Sequence, residues 1–333
     1  MTANNAVSRH VIENILNRKF PLENEQSTRW VLIIMLITIG ITACTSDSQK
    51  SIRAYDEMEE TINMETVKNL ETVKSKDGTS IAFQRTGSGP PLVLVHGGAA
   101  SNHKRWDIGG VRAALAEHYT VYAIDRRGRG GSGDSNEYDL MRECDDAVAV
   151  VDSIDEPVAL LGHSLGANIS LEAALRSDNI AKLILYEPAF PIGGHKLTSE
   201  EVVAEMQTMI DKGETEQALM LFMREVASLS EEEIEVFRKD PGWKSRLEAA
   251  HTLAREERAV SEYRFDADRF ANMNTPTLLL TGSESPQIFR ESIKAVHHSL
   301  RNSRIVTFEG QAHIAMNTAP ELFLDEVMRF LTE

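Results

Sequence analysis

One serine in this sequence stands between two glycines, at a point where a buried strand is expected to lead into a helix. The run Val158–Leu161 is apolar, and Gly162-His163-Ser164-Leu165-Gly166 follows it. A serine hydroxyl is a weak nucleophile, and a G-x-S-x-G turn between a strand and a helix exposes it for attack. The five-residue pattern is common by chance, because glycine and serine are frequent residues. The apolar run before it and the helical stretch after it make Ser164 the candidate nucleophile.

A histidine that can act as a general base follows the last apolar run of the chain. That run is Arg304–Phe308, and Gly310-Gln311-Ala312-His313 comes between it and a helix predicted over Pro320–Leu331. The carboxyl ends of parallel strands share one edge of a sheet, and ligands of open α/β sheets bind at that edge. We therefore predict that His313 lies beside Ser164 and accepts its proton.

Attack on a carbonyl also needs backbone N–H groups that stabilise the oxyanion. The segment Leu94-Val95-His96-Gly97-Gly98 ends an earlier apolar strand. The N–H of Leu165, directly after the serine, and the N–H of Gly98, in the loop after that strand, are the two candidate donors. We interpret His96 as a structural histidine rather than as a second base.

The elements that must position these residues are short apolar runs that alternate with helical or glycine-rich stretches. This alternation predicts an α/β fold, with a parallel sheet covered by helices on both faces. The six runs are Pro91–Val95, Thr120–Ile124, Val158–Leu161, Leu183–Tyr186, Thr277–Thr281 and Arg304–Phe308. Two further strands, Glu71–Ser75 and Thr79–Arg85, precede them as a hairpin, because Asp77-Gly78 is a hairpin turn signal.

The alternation stops between residues 191 and 274, where the sequence shows no strand. We predict about four helices there, inserted after the sixth strand as a lid would be. The spacing of Thr198 and Glu201 is that of a capping box at the start of the first helix. The apolar residues of the insertion are interpreted first as helix packing, although some could line an acyl pocket. They include Met206, Met209, Met220, Phe222 and Met223.

Four motifs in this order carry a resemblance to a known family. They are HGG at 96–98, the loop Asp125–Gly133, GHSLG at 162–166 and GQAH at 310–313. The sequence from Glu71 to Glu333 resembles the α/β-hydrolase superfamily. The resemblance implies a mostly parallel eight-stranded sheet, a core of residues 71–190 and 275–333, and a helical lid of residues 191–274. It also implies a Ser–acid–His triad in that chain order, with the Asp125–Gly133 loop in a structural role.

The triad acid is where the sequence departs from the family pattern. The family usually carries an aspartate three residues after a glycine behind the seventh strand, but Gly282-Ser283-Glu284-Ser285 places Ser285 there. Glu284 stands one residue early. Glu187 ends the sixth strand, at a position where some members of the family carry their acid. We prefer Glu187 as the acid, with Glu284 as the alternative; a dyad without an acid, or an acid elsewhere, stays open.

The first seventy residues differ in character from the rest. Trp30–Ala43 contains no charged residue, but its 14 residues fall short of the roughly 20 that span a bilayer. The run suits the apolar region of a signal peptide. Ile41-Thr42-Ala43-Cys44 resembles the lipobox of bacterial lipoproteins, which implies lipidation of Cys44 and a catalytic domain in the bacterial cell envelope, outside the cytoplasm.

An uncleaved N-terminal anchor also stays open, as does neither role, because the 29 residues before Trp30 are many for a signal peptide and include three glutamates. Residues 1–43 are thus predicted to be a signal peptide or anchor, and residues 44–70 a polar linker.

Charge and cysteine content exclude several classes of partner. The formal net charge of −16 over 333 residues argues against binding of nucleic acid and against a polybasic membrane patch. Membrane contact is therefore expected only through an N-terminal lipid or anchor. The two cysteines, Cys44 and Cys144, do not have the spacing of a metal site. We expect no metal and no organic cofactor, and the sequence does not predict an oligomeric state.

These residues favour a serine hydrolase that cleaves a small-molecule carboxylester through an acyl-enzyme. The same triad could serve a C–C hydrolase, an amidase, a lactonase or a cofactor-free haloperoxidase. A non-catalytic ligand-binding protein on the same scaffold is a further alternative, because a fold does not fix a function. Serine rather than aspartate at position 164 disfavours haloalkane dehalogenase and epoxide hydrolase relatives.

Overall fold

The computed structural model describes residues 70–227, 229, 231–239 and 242–333. The predictions for Trp30–Ala43, Cys44 and the linker up to residue 69 concern residues outside this part of the chain. Eight strands run through the described part. They are β1 (Leu70–Lys74), β2 (Ser80–Thr86), β3 (Pro91–Val95), β4 (Thr120–Ile124), β5 (Val158–His163), β6 (Ile180–Tyr186), β7 (Thr277–Gly282) and β8 (Ser303–Phe308).

All eight strands form one sheet in the order β1-β2-β4-β3-β5-β6-β7-β8. Strand β2 pairs antiparallel with both β1 and β4, and every other pairing is parallel. The turn between β1 and β2 is closed by Gly78, whose φ of 86° favours glycine. The mostly parallel eight-stranded sheet predicted from the sequence is therefore confirmed. Strands β3 and β4 have the predicted ends, β5 ends two residues later than expected, and β6 begins three residues earlier.

Helices cover both faces of the sheet. Residues of α1 (Val111–Ala116) and α11 (Pro320–Thr332) pack on one face, and residues of α2 (Leu140–Asp152), α3 (Leu165–Ala173) and α9 (Gln287–Ser299) pack on the other. Strand β3 shows why both faces need a cover. Its residues alternate between the two apolar clusters, with Leu92 and Leu94 in one and Val93 and Val95 in the other. A short helix, α10 (Ala315–Thr318), precedes α11.

Between β6 and β7 the described residues hold five α-helices rather than the predicted four. They are α4 (Glu200–Asp211), α5 (Thr215–Leu221), α6 (Glu231–Arg238), α7 (Trp243–Ala249) and α8 (Leu253–Glu262). The first of them is capped by Ser199, which accepts a hydrogen bond from the N–H of Val202 at 3.3 Å, so the expected cap at Thr198 is wrong by one residue. We refer to residues 191–274 as the helical insertion.

Three methionines of the helical insertion pack within it. Met206 and Met223 are buried in a cluster with Leu253 and Ala254 of α8, and Met220 packs against that cluster. This agrees with helix packing as their first role. No helix in the described ranges is long and apolar enough to cross a membrane.

Candidate active site

Ser164 lies at the sharp turn between β5 and α3. Its backbone has φ 56° and ψ −124°, a conformation that L-residues rarely adopt. Strand pairing supports the turn, because the Ser164 N–H donates to the carbonyl of Tyr186 at 2.9 Å. The serine is only half-buried, whereas every residue of β5 before it is buried. The turn therefore presents the hydroxyl at the carboxyl edge of the sheet.

Glycine is required on both sides of the serine, because a side chain at either position would collide with neighbouring backbone. A Cβ on Gly162 would collide with the carbonyl of Gly166, and a Cβ on Gly166 would collide with the carbonyls of Val95 and His96. The loop after β3 also lies close to the serine, because a Cβ on Gly97 would stand 3.0 Å from the Cβ of Ser164. The three glycines allow the two loops to pack against each other beside the nucleophile.

Glu187 and His313 meet at this edge, as the sequence predicted for the preferred acid. The Nδ1 of His313 lies 2.6 Å from Oε2 of Glu187. Glu187 follows β6 directly and has a φ of 49°, which turns the chain out of the sheet. Its side chain is fully buried, while the His313 side chain is 26% exposed. The imidazole therefore has one edge on a buried carboxylate and part of its surface open.

The second oxygen of Glu187 accepts hydrogen bonds from Thr281 Oγ1 and from the Gly282 N–H, both at 2.8 Å. Burial by itself would raise the pKa of Glu187. The hydrogen bond and charge of His313, with the Gly282 hydrogen bond, outweigh burial, and the pKa lies below its ordinary value. An ionised Glu187 accepts a hydrogen bond from the Nδ1–H of His313, so the proton stays on Nδ1 and the lone pair of the imidazole is on Nε2. That tautomer is the one a general base needs.

The alternative acid lies elsewhere. Glu284 is exposed and accepts a hydrogen bond from the Ser283 hydroxyl at 3.3 Å. No hydrogen bond joins Glu284 to His313 in the described chain. Ser285, which occupies the usual aspartate position, is buried, and its hydroxyl has no hydrogen-bond partner among the described residues.

Three residues that the sequence reasoning did not single out surround the imidazole. His163 donates from Nε2 to the carbonyl of His313 at 2.8 Å, and burial lowers its pKa well below the ordinary value, so it is neutral. The hydroxyl of Tyr186 bonds to the Ala312 carbonyl and accepts the Ala315 N–H at 2.9 Å. The ring of Phe289 stacks on His313 with 4.1 Å between centroids and 14° between planes.

Two of these three carried a signal in the sequence. His163 lies inside the G-x-S-x-G motif, and Tyr186 directly precedes the candidate acid. Each therefore comes from a strand end that meets the same sheet edge. Phe289 comes from α9, and no spacing in the sequence connects it to His313.

The two candidate oxyanion donors belong to the two segments that meet at the serine. Leu165 is the first residue of α3, and Gly98 follows the glycine that packs against Ser164. Among the described residues, neither N–H is used in another hydrogen bond. Both are thus available for an oxygen that develops negative charge near Ser164.

Asp125 begins the glycine-rich loop after β4 and is fully buried. Its carboxylate accepts from the His103 N–H and from His103 Nδ1, at 2.8 and 2.7 Å, and from the Gly131 N–H at 2.8 Å. These bonds tie the loop together, as expected for a structural role. No cluster of three or more potential metal ligands occurs in the part of the chain that the structure describes.

The chain is similar to known proteins in sequence and in fold. The model described as "Alpha/beta hydrolase family" matches residues 92–326, more than half of the chain. A solved alpha/beta hydrolase from Sphaerobacter thermophilus has a TM-score of 0.68 and 32% sequence identity, over 78% of this chain and 100% of that one.

Two curated relatives have described activities. The (E)-2-((N-methylformamido)methylene)succinate hydrolase of Acinetobacter baylyi is 24% identical over 260 residues, which is 74% of this chain and 92% of the relative. The pimeloyl-[acyl-carrier protein] methyl ester esterase of Aeromonas hydrophila is 26% identical over 259 residues, which is 76% of this chain and 99% of the relative. With the fold and the family match, these similarities agree on one conclusion: the chain belongs to the alpha/beta hydrolase family.

Proposed function

We propose that this hydrolase cleaves carboxylesters through an acyl-enzyme, with Ser164 as nucleophile, His313 as general base and Glu187 as the triad acid. The observation that carries the proposal is the 2.6 Å hydrogen bond between Glu187 and His313. The ring of His313 lies 4.7 Å, between centroids, from that of His163, the residue before the strained turn at Ser164. The relative with a methyl ester esterase activity supports an ester substrate.

In the first half of the reaction, Ser164 Oγ attacks the carbonyl carbon of the ester while Nε2 of His313 takes its proton. Glu187 stabilises the imidazolium and holds the ring through Nδ1. The carbonyl oxygen becomes an oxyanion, which the N–H groups of Gly98 and Leu165 stabilise. When the tetrahedral intermediate collapses, the alcohol leaves with the proton from Nε2, and the acyl group remains on Ser164.

In the second half, water replaces the alcohol. His313 removes a proton from the water as the water oxygen attacks the acyl carbon, and the same two N–H groups stabilise the second oxyanion. The carboxylic acid departs, and Ser164 Oγ regains its proton from Nε2. The helical insertion, as a lid over this edge, would select the acyl group.

A second candidate is an amide-type substrate. The Acinetobacter relative acts on a compound that contains an N-methylformamido group. The same triad and oxyanion donors serve amides, provided that the imidazolium protonates the leaving amine. The distinction therefore lies in the pocket and in the leaving group, and one substrate panel can separate the two.

The test is a panel of p-nitrophenyl esters from acetate to laurate, with p-nitroacetanilide as the amide. We expect ester turnover with a preferred chain length and slow or no anilide hydrolysis. Ser164→Ala should retain the fold and lose several orders of magnitude in kcat, as is typical for loss of a serine nucleophile. Wild-type turnover by a folded Ser164→Ala variant would contradict the proposal, and preferential anilide hydrolysis would favour the second candidate.

We propose also that the enzyme acts in the bacterial cell envelope, tethered through a lipidated Cys44. The support is the uncharged run Trp30–Ala43 followed by Cys44 and a polar segment. This proposal is independent of the catalytic one, because it concerns residues before the described fold.

A further inference from the structure

The carbonyl of Gly97, in the loop that carries the candidate oxyanion donor Gly98, is held by two buried side chains. Nδ1 of His96 lies 2.8 Å from this oxygen, and Nη1 of Arg126 donates to it at 2.9 Å. His96 is fully buried and Arg126 is 2% exposed. Neither side chain belongs to the triad, and both converge on one backbone oxygen.

The protonation of His96 follows from its other contact. The backbone N–H of Arg126 donates to Nε2 of His96 at 3.3 Å, so Nε2 is the acceptor and Nδ1 carries the proton. Burial, and then the charges of Arg126 and Arg129, lower the pKa of His96 well below its ordinary value. The neutral imidazole therefore donates to Gly97, and the carbonyl receives two hydrogen bonds.

Holding this carbonyl also holds the N–H on the far side of the same peptide bond. The structure contains no cis peptide bond in the described residues, so the Gly97 C=O and the Gly98 N–H lie in one plane and point in opposite directions. Glycines on both sides of the bond would otherwise leave this peptide free to rotate. Two donors on the oxygen also polarise the peptide, which strengthens the N–H as a donor.

Arg126 is itself fixed on its other edge. Its Nε and Nη2 donate to Glu143 at 2.7 and 2.6 Å, a bidentate pair, and Tyr138 donates to the same carboxylate at 2.7 Å. Glu256 of α8 lies 3.4 Å from Arg126, and its Oε2 is 3.7 Å from where a Cβ on Gly98 would stand. The planar fork of the guanidinium thus spans from these carboxylates to the Gly97 carbonyl.

We propose that Arg126 and His96 are positioning residues for the oxyanion hole: they fix the Gly97–Gly98 peptide so that the Gly98 N–H meets the developing oxyanion. The inference rests on the proposed function and deepens it, because both side chains act on the candidate oxyanion donor through the Gly97 carbonyl. Their effect is realised in the transition state, where the oxyanion exists, and not in ground-state binding.

Arg126→Lys tests the proposal, with Arg127→Lys as the matched control. A lysine at 126 keeps the positive charge but loses the planar fork that joins Glu143 to Gly97. Arg127 is also fully buried and pairs bidentately with Asp146, at 2.7 Å for both bonds, but has no hydrogen bond to the loop after β3. Both variants should lose stability, and only the first should lose catalysis.

For Arg126→Lys we expect kcat on the best ester to fall about ten- to hundredfold with little change in KM, since removal of a whole oxyanion donor costs about 10²–10³. An aryl trifluoromethyl ketone, which forms a tetrahedral adduct bearing an oxyanion, should lose affinity by the same factor. Arg127→Lys should keep both values within about twofold of wild type when assayed below its unfolding temperature.

His96→Phe gives an independent reading if Arg126→Lys does not fold, because it removes the other donor from the same oxygen. We expect the same kcat loss and the same weaker ketone binding. Normal kcat and ketone affinity in whichever of these variants folds, or an equal loss in Arg127→Lys, would overturn the inference while leaving the proposed function intact. An inactive wild-type enzyme would instead overturn the proposed function and the inference with it.

Discussion

Glu187 reaches His313 from β6 because neighbouring parallel strands end at one edge of the sheet. Tyr186 of β6 pairs with Leu280 of β7, and the Glu187 N–H donates to the Leu280 carbonyl at 3.1 Å. A carboxylate at the end of either strand is therefore close to the loop after β8. The left-handed backbone at Glu187 and the donors Thr281 and Gly282 hold it in that place.

At this residue, the prediction compares two single substitutions. Glu187→Gln should lower kcat by several orders of magnitude, because the amide can no longer stabilise the imidazolium or hold its tautomer; the analogous loss in a serine protease is about 10⁴. Glu284→Gln should change kcat less than about fivefold, since an exposed carboxylate contributes only screened electrostatics. Steady-state kinetics on the best ester measures both.

Each variant is first checked by thermal unfolding, because Glu187 is buried and hydrogen-bonded as well as catalytic. The reverse ranking, with Glu284→Gln inactive and Glu187→Gln close to normal, would place the triad acid after β7 and refute the assignment made here.

Among the elements, helix α8 carries a buried carboxyl with an unusual environment. Glu257 is 7% exposed and has no hydrogen bond or ion pair within the described part of the chain. Burial raises its pKa from 4.5 to about 7. A carboxyl whose pKa is raised by folding costs no stability while it is protonated in both states, and it destabilises the folded state once it ionises.

The contribution of Glu257 to the free energy of unfolding should therefore fall as pH rises from 4.5 to about 7, the window between the unfolded and folded pKa of this carboxyl. Above that window the penalty is constant and amounts to about 3 kcal/mol. Glu257→Gln removes it, so the variant should be more stable than wild type at pH 8, with a gain that shrinks towards pH 4.5. Urea unfolding at several pH values measures the difference.

The exposed Glu262 at the end of the same helix gives the control, because Glu262→Gln changes the same charge on a solvated side chain. Its effect on the free energy of unfolding should be small at every pH. A Glu257→Gln variant that is destabilised equally at pH 5 and pH 8 would show that the carboxylate has a partner in the folded protein.

The sequence predicts a strand or helix well where a regular pattern of neighbouring residues determines it. Strands β3, β4, β5 and β7 were predictable, because they are fully buried and hence largely apolar. The start of β6 was missed by three residues, because Ala181 is exposed and Lys182 is only half-buried. The insertion was undercounted by one helix, since the π-helical turn Phe222–Val226 and the 3₁₀ turn Ala250–Thr252 break the 3.6-residue periodicity.

The site residues, too, were predictable only where neighbouring residues in the sequence determine their position. The positions of Ser164 at a strand-to-helix turn and of His313 after the last strand were predictable from apolar runs and nearby glycines. The choice between Glu187 and Glu284 depends on the backbone at one residue and on donors from a neighbouring strand, so the sequence left it open. The contact from Arg126 to Gly97 joins residues 29 apart in the chain, and it depends on the path of a long side chain that no motif encodes.

For the whole molecule, the segment before the fold gives a separate prediction about location. If Cys44 is the lipidated N-terminus of the mature protein, intact-mass analysis of the membrane fraction should find a chain that begins at Cys44 with added lipid. Cys44→Ser should abolish the lipid and change the fractionation. A native protein that retains Met1 and stays in the soluble fraction would end this proposal.

Covalent labelling is the most direct test of whether Ser164 is a nucleophile that His313 activates. A fluorophosphonate should modify the wild-type enzyme once, and peptide mapping should place the adduct on Ser164. His313→Ala should slow the labelling by orders of magnitude in a folded protein, because the base that removes the serine proton is missing. The assignment of Ser164 as nucleophile would be contradicted if the folded wild-type protein formed no adduct, or formed it on another residue. Equal labelling rates with and without His313 would contradict the role of His313 as the base.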